Sequence, residues 1–417
     1  MSPEMLAYPF LFLALFFESF ILVTLLSQPA RDARLRTAAH HGDGNTLPSV
    51  AVIVPCLNEG ETVAATTQSL LALAYPKDRL RVILVDNGST DATPMVMERF
   101  RTNPQVRILN VPERGKHIAV NAGIAVTDAE FIGCLDADSF VEPDALSEII
   151  PCFAQKNVAA VTAAMSVYRP KNLLQHMQNA EYTFGITMRH TLASVNGLYV
   201  TPGPFSFYRR SAIKKVGGFR RGHQTEDMEM ALRLQQAGYA IENAPRARVY
   251  TTSPDTVFKL VKQRVRWTTG FLRNVLGDYR CLIGARERGA LGMLVLPFAI
   301  IAIGSGIALF SLMLYELIQH ATTAIEVRVG IPLSYALVPR GSFDWFYFPT
   351  SLYLILGILM LFSALFLIAI GKNISKTPGN LAFCFISYTF LYGLIAPLWL
   401  IRAITDFAFG RQRDWKS

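Results

Sequence analysis

The stretch FIGCLDADS, Phe131 to Ser139, decides the fold. A short apolar run bounded by turn-forming residues reads as a buried strand. Asp136 and Asp138 stand at its end. The same arrangement occurs upstream in RVILVDNGST, Arg81 to Thr90, where Asp86 closes the run. SVAVIVP (Ser49 to Pro55) is a third such strand and leads into the loop PCLNE, while Gln105 to Val111 is a fourth. Helical spacing fills the intervals: Glu61 to Leu73, Asp91 to Phe100 with Thr90 or Asp91 as its cap, and Lys116 to about Val126. Pro143 is placed to open the next helix at its first position. Strands alternating with helices at this period imply βαβ units and a mainly parallel, Rossmann-like α/β sheet. Such open sheets bind ligands beyond the carboxyl ends of their strands, where these acidic residues fall. No GxGxxG follows the first strand, which argues against a dinucleotide redox cofactor.

Working outward, the composition places this sheet at a membrane. Of 417 residues, 51% are hydrophobic and only 17% charged, a low charge content for a soluble chain. Four stretches reach bilayer length: Tyr8 to Leu26, about Leu291 to Leu317, about Phe346 to Ile370, and about Leu381 to Ile401. The first has no basic start and no small-residue cleavage site, so it is expected to be an uncleaved anchor. Glu18 lies in its middle and is read first as a helix-packing partner. The organisation expected is an anchor over 1–27, a linker over 28–48, an α/β domain over 49–253, interfacial helices over 254–288, and a C-terminal region over 289–417 with about three spans. Arg31, Arg34 and Arg36 in the linker put that flank, and the α/β domain with it, in the cytoplasm. Counting four spans then leaves the C-terminus outside, whereas Arg402, Arg411, Arg413 and Lys416 argue for inside. Either the fourth segment is a hairpin or re-entrant, or the charge bias yields.

The net charge of +9 fits an anionic membrane face and an anionic substrate. No zinc-finger spacing or aromatic–basic signature supports nucleic acid as a partner. Two amphipathic stretches are expected at the membrane surface: Lys171 to about Leu192, and a second with Phe258, Val261, Val265, Leu272 and Val275 on one face and Lys259, Lys262, Arg264 and Arg273 elsewhere. The five cysteines form no CxxC pair and read as reduced core residues.

Asp136 and Asp138 offer hard oxygens suited to Mg²⁺ or Mn²⁺ beside a nucleoside diphosphate. Asp86, before the Asn87-Gly88-Ser89 turn, is placed to take a nucleotide base or ribose, with Pro55, Asn58 and Glu59 of PCLNE lining the same pocket. Lys116, at a helix start, suits phosphate. Asp227 in QTEDMEMALRL is placed as a general base, with Glu226 as the competing candidate. Gln263, Arg266 and Trp267 in QRVRW supply an amide, a guanidinium for a diphosphate and a flat ring for a sugar.

The ordered set PCLNE, VDNGS, GK, DAD, GPFSFYRR, TED and QRVRW resembles the membrane-integrated, processive-type family 2 glycosyltransferases, among them cellulose, chitin, hyaluronan and poly-N-acetylglucosamine synthases. The resemblance covers about Ser49 to Gly270. It implies a GT-A fold, a UDP-sugar donor, a divalent metal and inversion at the anomeric carbon. Asp86 and Asp136 then look like donor-binding residues, Asp138 the metal ligand, Asp227 the base, and Gln263, Arg266 and Trp267 holders of diphosphate and acceptor. Gly203 and Pro204 in GPFSFYRR look like part of an acceptor-side loop. The chain departs from the family pattern at Asn87, often Asp, and in having about four spans; no PilZ-like domain is seen. The partners expected are a nucleotide sugar, a saccharide or lipid-linked acceptor, and membrane lipid. Extension of a poly- or oligosaccharide leads; single transfer to a polyprenyl phosphate is the alternative, and an inactive nucleotide-sugar-binding scaffold is a third reading.

Overall fold

The computed structural model describes residues 3–27, 47–330 and 351–411. Linker residues 28–46, residues 346–350 of the expected third span, Arg413 and Lys416 lie outside them. Eight strands form one sheet: β1 (Val50–Cys56), β2 (Leu80–Asp86), β3 (Val106–Asn110), β4 (Phe131–Cys134), β5 (Ser139–Val141), β6 (Val158–Val167), β7 (Ser206–Arg209) and β8 (Ala240–Thr251), in the order β3-β2-β1-β4-β7-β6-β8-β5. The β1–β2, β2–β3, β1–β4 and β6–β8 pairs are parallel; β7 runs antiparallel between β4 and β6, and short β5 antiparallel to β8. Strands β1 and β6 are buried at every position, which explains why β1 is apolar throughout and β6 apolar except at Thr162 and Ser166, rather than alternating.

The helices introduced in chain order are α1 (Pro3–Leu26), α2 (Val63–Leu71), α3 (Thr93–Glu98), α4 (Lys116–Ala125), α5 (Ala145–Ile149), α6 (Leu173–Ser194), α7 (Arg210–Val216), α8 (Glu226–Gln236) and α9 (Val257–Arg273). They are followed by α10 (Leu296–Glu326), α11 (Leu352–Ser375), α12 (Leu381–Ser387) and α13 (Gly393–Ala408). Helix α4 packs closely on β1, because a Cβ at Gly123 would come within 2.7 Å of Ile53 Cγ2.

Two local readings differ from the sequence expectation. Strand β4 ends at Cys134, so Asp136 and Asp138 lie in a turn: Ser139 N–H donates to the Asp136 carbonyl (3.0 Å). Pro143 precedes α5 by two residues instead of opening it; its carbonyl accepts from Ala74 N–H (2.8 Å), which ties it to the loop after α2.

Among the described residues, four helical stretches are long and apolar enough to cross a membrane: Met5–Leu26, Leu291–Glu326, Leu352–Ser375 and Leu381–Ala408. Buried Ile21, near the C-terminal end of α1, belongs to the same apolar cluster as Ala51 and Ile53 of β1. Thr187 Oγ1 of α6 donates to the Leu367 carbonyl of α11 (2.7 Å). Close approach there requires the absent side chain of Gly371, whose Cβ would overlap the Thr183 backbone.

The fourth stretch behaves differently. Helices α12 and α13 run on through one π-helical turn at Tyr388–Tyr392. Cys384, at the start, packs with Ala180 of α6, and Ile395, Ala396, Trp399 and Ala403 pack with Leu260 and Val265 of α9 and with Met177 of α6. At the far end, Arg273 Nη2 donates to the Arg411 carbonyl (2.6 Å). Phe383, Ile386, Phe390, Leu394, Leu398 and Ile401, spaced by three or four, form the opposite, exposed stripe. One end of this helix therefore rests on α6 and the other on α9 and α10, with one apolar face against protein and the other outward.

That geometry predicts that residue 411 lies on the same membrane side as the α/β domain. A reporter active in only one compartment, fused at the C-terminus, should match one inserted in the exposed turn at Lys77. Opposite readouts would show instead that the fourth stretch crosses.

Candidate active site

The carboxyl ends of β1, β2 and β4 meet the start of α8 and the loop before β7. Lys116, the first residue of α4, stands at their centre. Its Nζ lies 2.6 Å from Asp136 Oδ1 and 3.2 Å from Glu226 Oε1. Burial works against charge on this amine, but Asp136, Glu226 and Asp227 around it hold it protonated well above the ordinary lysine range. A Cβ at position 203 would sit 2.7 Å from Lys116 Nζ and 2.9 Å from Asp136 Oδ2, so Gly203 is the residue that lets this ion pair form. Pro204 beside it is buried.

Asp227 occupies the first turn of α8, where the helix dipole favours an anion. Its Oδ2 accepts from Gly203 N–H (3.2 Å), and its Oδ1 from Met228 N–H (2.8 Å). Thr201 Oγ1 donates to the Asp227 carbonyl (2.7 Å) and itself accepts from Tyr208 OH (2.9 Å). Burial, and then the neighbouring Glu226, push the Asp227 carboxyl up to about 6, against the pull of Lys116. A carboxylate so placed is mostly ionised at neutral pH, yet basic enough to take a proton. Glu226 is instead committed to Lys116, which separates the two candidate bases by their contacts.

Asp86 is 6% exposed, and its Oδ1 caps the following turn by accepting from Ser89 N–H (3.2 Å). Asn58, in a left-handed conformation (φ 55°), accepts from Thr90 N–H through Oδ1 (2.8 Å) and so joins the β1 loop to the β2 loop. Glu59 N–H donates to Thr93 Oγ1 (2.8 Å), and Thr62 Oγ1 donates to Glu59 Oε2 (3.2 Å). Pro55 lies in β1 beyond the last β1–β4 pair, Ile53↔Cys134, so its missing N–H costs no ladder bond. Asn87 is fully buried: Nδ2 donates to the carbonyls of Glu113 (2.5 Å) and Val111 (3.2 Å), while Oδ1 accepts from Gly115 N–H (2.8 Å). It fixes the loop that delivers Lys116, a task that needs a donor and an acceptor on one side chain.

Among the described residues no three His, Cys, Asp or Glu side chains form a ready metal cage. The charge pattern at Asp138 nevertheless suits a divalent cation. Burial, and then Asp136 and Glu59, push its carboxyl up to about 7, with only Ser139 Oγ (3.1 Å) donating to its side chain. Two carboxylates plus diphosphate oxygens and water is a normal shell for Mg²⁺ or Mn²⁺.

Gln263, Arg266 and Trp267 all lie on α9. Arg266 Nη1 donates to the Gln224 carbonyl (3.4 Å), just upstream of Glu226. Trp267 packs on the core beneath the sheet, and Gln263 Oε1 is buried with no hydrogen-bond partner. Phe258, expected on the apolar face of an interfacial helix, is 80% exposed.

Residues 48–270 match the profile of the family described as Glycosyltransferase like family 2, more than half of the 417 residues. The chain belongs to this family. The glycosyltransferase is 30% identical over 256 residues to a poly-beta-1,6-N-acetyl-D-glucosamine synthase of Staphylococcus epidermidis, covering 61% of either chain. It is also 30% identical over 236 residues to the synthase of that name from Staphylococcus aureus strain COL, covering 56% of this chain and 57% of the relative. The matched region thus spans about three-fifths of each relative's length. A mannosyltransferase from Pyrobaculum calidifontis, solved in complex with GDP-Man and Mn²⁺, superposes with a TM-score of 0.58 at 18% identity, over 94% of this chain and 99% of that one. The fold is GT-A.

In this glycosyltransferase the sequence reading misplaced Arg264, expected on the solvent-facing basic side of α9. It is 3% exposed. Its Nη2 donates to Glu181 Oε2 of α6 (2.9 Å), and its guanidinium stacks 4.2 Å from the Trp267 ring centroid. The i,i+3 spacing of Arg264 and Trp267 carries that contact; nothing in the sequence points to Glu181, 83 residues earlier.

Asn87→Asp would set a carboxylate against two carbonyl oxygens in a buried site. The expected cost is about 2–4 kcal/mol of stability, with reduced sugar transfer. Thermal unfolding of the solubilised protein, followed by tryptophan fluorescence, checks it; an unchanged midpoint would overturn the role given to Asn87.

Proposed function

We propose that this glycosyltransferase is an inverting, metal-dependent synthase of the cell membrane. It moves a sugar from a UDP-sugar, such as UDP-N-acetylglucosamine or UDP-glucose, to a growing poly- or oligosaccharide at the cytoplasmic face. The observation that carries the reading is Asp227, held by Gly203 and Met228 N–H groups with its carboxyl raised to about 6, beside the Lys116–Asp136 pair. The names of the staphylococcal relatives support polymer extension and an N-acetylglucosamine donor. Orientation follows from Arg31, Arg34 and Arg36 after the first helix.

Asp86, with Pro55, Asn58 and Glu59, receives the nucleotide. Asp136 and Asp138 would hold Mg²⁺ or Mn²⁺, which would offset charge developing on the departing diphosphate. Arg266 and Gln263 add donors for that diphosphate, and Trp267 and the Gly203–Pro204 loop border the acceptor. Asp227 takes the proton of the acceptor hydroxyl as its oxygen bonds to the anomeric carbon; the bond from that carbon to the diphosphate breaks on the opposite face, inverting the configuration. Lys116 holds Asp136 and Glu226 in register throughout.

The test is a donor screen on protein in lipid nanodiscs with Mg²⁺ or Mn²⁺, reading UDP release and product size. A ladder from one UDP-sugar is expected. A single lipid-linked sugar would replace extension by transfer to a lipid carrier, and no turnover with any donor would remove the enzymatic reading. Asp227→Asn should lower turnover by about 10²–10⁴-fold while donor binding persists; full activity would sink the base assignment.

The pH profile has a fixed sign. Asp227 acts as a base only when ionised, so kcat/KM should fall as pH drops through about 6. A profile flat from pH 7 to 5, taken at saturating metal, would exclude Asp227 as the titrating base.

A further inference from the structure

The largest chemical surplus outside the carboxylate cleft is a cavity of about 650 Å³ between the loop Arg220–Gln224, α8, α9 and the end of α13. None of Asp86, Lys116, Asp136, Asp138 or Asp227 lines it. Its walls carry six arginines, at positions 220, 221, 233, 266, 273 and 411, and three carboxylates, Glu229, Asp278 and Asp406. Six minus three leaves a formal surplus of +3 with His223 neutral.

The carboxylates already have partners. Glu229 meets Arg233 (2.9 Å) and accepts from Tyr279 OH (2.5 Å), Asp278 meets His223 (3.1 Å), and Asp406 meets Arg402 (3.4 Å). Arg273 spends hydrogen bonds on the Arg411 and Asp406 carbonyls, which do not neutralise it. Two donors in the wall are buried without a partner: Arg233 Nε, on a side chain 6% exposed, and Thr269 Oγ1. Clustered guanidiniums, with the buried Arg233 Nε–H unused, suit phosphate oxygens.

We propose that this chamber is a second anion site, adjoining the donor cleft across Arg266 but not lined by that cleft's carboxylates, that binds a phosphate-bearing group of at least two negative charges. Arg220 and Arg221 guard its mouth, and Arg233 and Thr269 supply its inner donors. Arg266 forms the wall shared with the catalytic side. The chamber lies where α10 leaves the domain, since Phe271, Val275 and Tyr279 beside it pack with Leu291 and Leu296 at the foot of that helix. A phosphate can therefore arrive from solution or as a lipid headgroup. The site does not depend on which sugar the enzyme transfers.

The test titrates inorganic pyrophosphate by calorimetry into the full chain in phosphatidylcholine nanodiscs with EDTA. Wild type and Asp138→Ala should bind alike, and Arg220→Gln/Arg221→Gln about tenfold more weakly; Arg220→Lys/Arg221→Lys, which keeps the charge, guards against a folding defect by retaining at least part of the affinity. In discs containing phosphatidic acid, whose phosphomonoester can carry two charges, weaker pyrophosphate binding would identify a lipid headgroup as the competing occupant, and unchanged binding a soluble anion; both sustain the site. No binding in phosphatidylcholine discs, or binding lost in Asp138→Ala but kept in the glutamine pair, would overturn it.

Discussion

One ammonium among carboxylates organises this active site. Lys116 touches Asp136 after β4 and Glu226 at the start of α8, and it lies within the field of Asp227. Without it, acidic groups from two distant parts of the chain would face one another in a partly buried cleft, and repulsion would drive them apart or protonate them. With it, the β4 turn and the first turn of α8 are drawn to one ammonium, against which a side chain at 203 would clash. The remaining excess of negative charge falls on Asp138, where Asp136 and Glu59 add to the effect of burial. The site is thus divided into a half neutralised by protein and a half that invites a metal.

The residues around Lys116 are supported in depth. Asn87 fixes the loop that precedes it, from two carbonyls and one N–H. Thr201, held by Tyr208, fixes the backbone of Asp227. These contacts explain why Asn at 87 is not a weakened Asp: an ionised carboxylate there has no hydrogen to give, and the loop would lose its anchor.

The parallel half of the sheet was legible because β1 and most of β2 are buried on both faces, and a run such as VAVIV admits little else between turn residues, whereas β5 to β8, the fully buried β6 among them, went unread. The acidic positions were legible for the same reason, since strand ends locate ligand loops before any contact is known. Arg264 was not, because helical spacing shows which residues share a face of α9 but not which acid on α6 will meet it. Asn87 looked like turn chemistry, and its role emerges only from carbonyls on a different loop. What sequence withheld in each case was a partner distant along the chain.

The C-terminal helix shows the same limit on a larger scale. Hydropathy counts apolar residues, and α12–α13 has enough to cross a bilayer. A helix lying along a protein at the lipid boundary needs apolar residues on two faces, one for each neighbour, and so has the composition of a spanning helix. The contacts separate the cases: Cys384 near one end packs on α6, Ala403 near the other packs with the α9 cluster, and the exposed stripe from Phe383 to Ile401 faces away. A helix so packed can stay on one side, and Arg402 and Arg411 would then lie beside the domain. On that arrangement counting spans and counting basic residues agree, whereas a crossing helix would leave Arg402 and Arg411 on the far side.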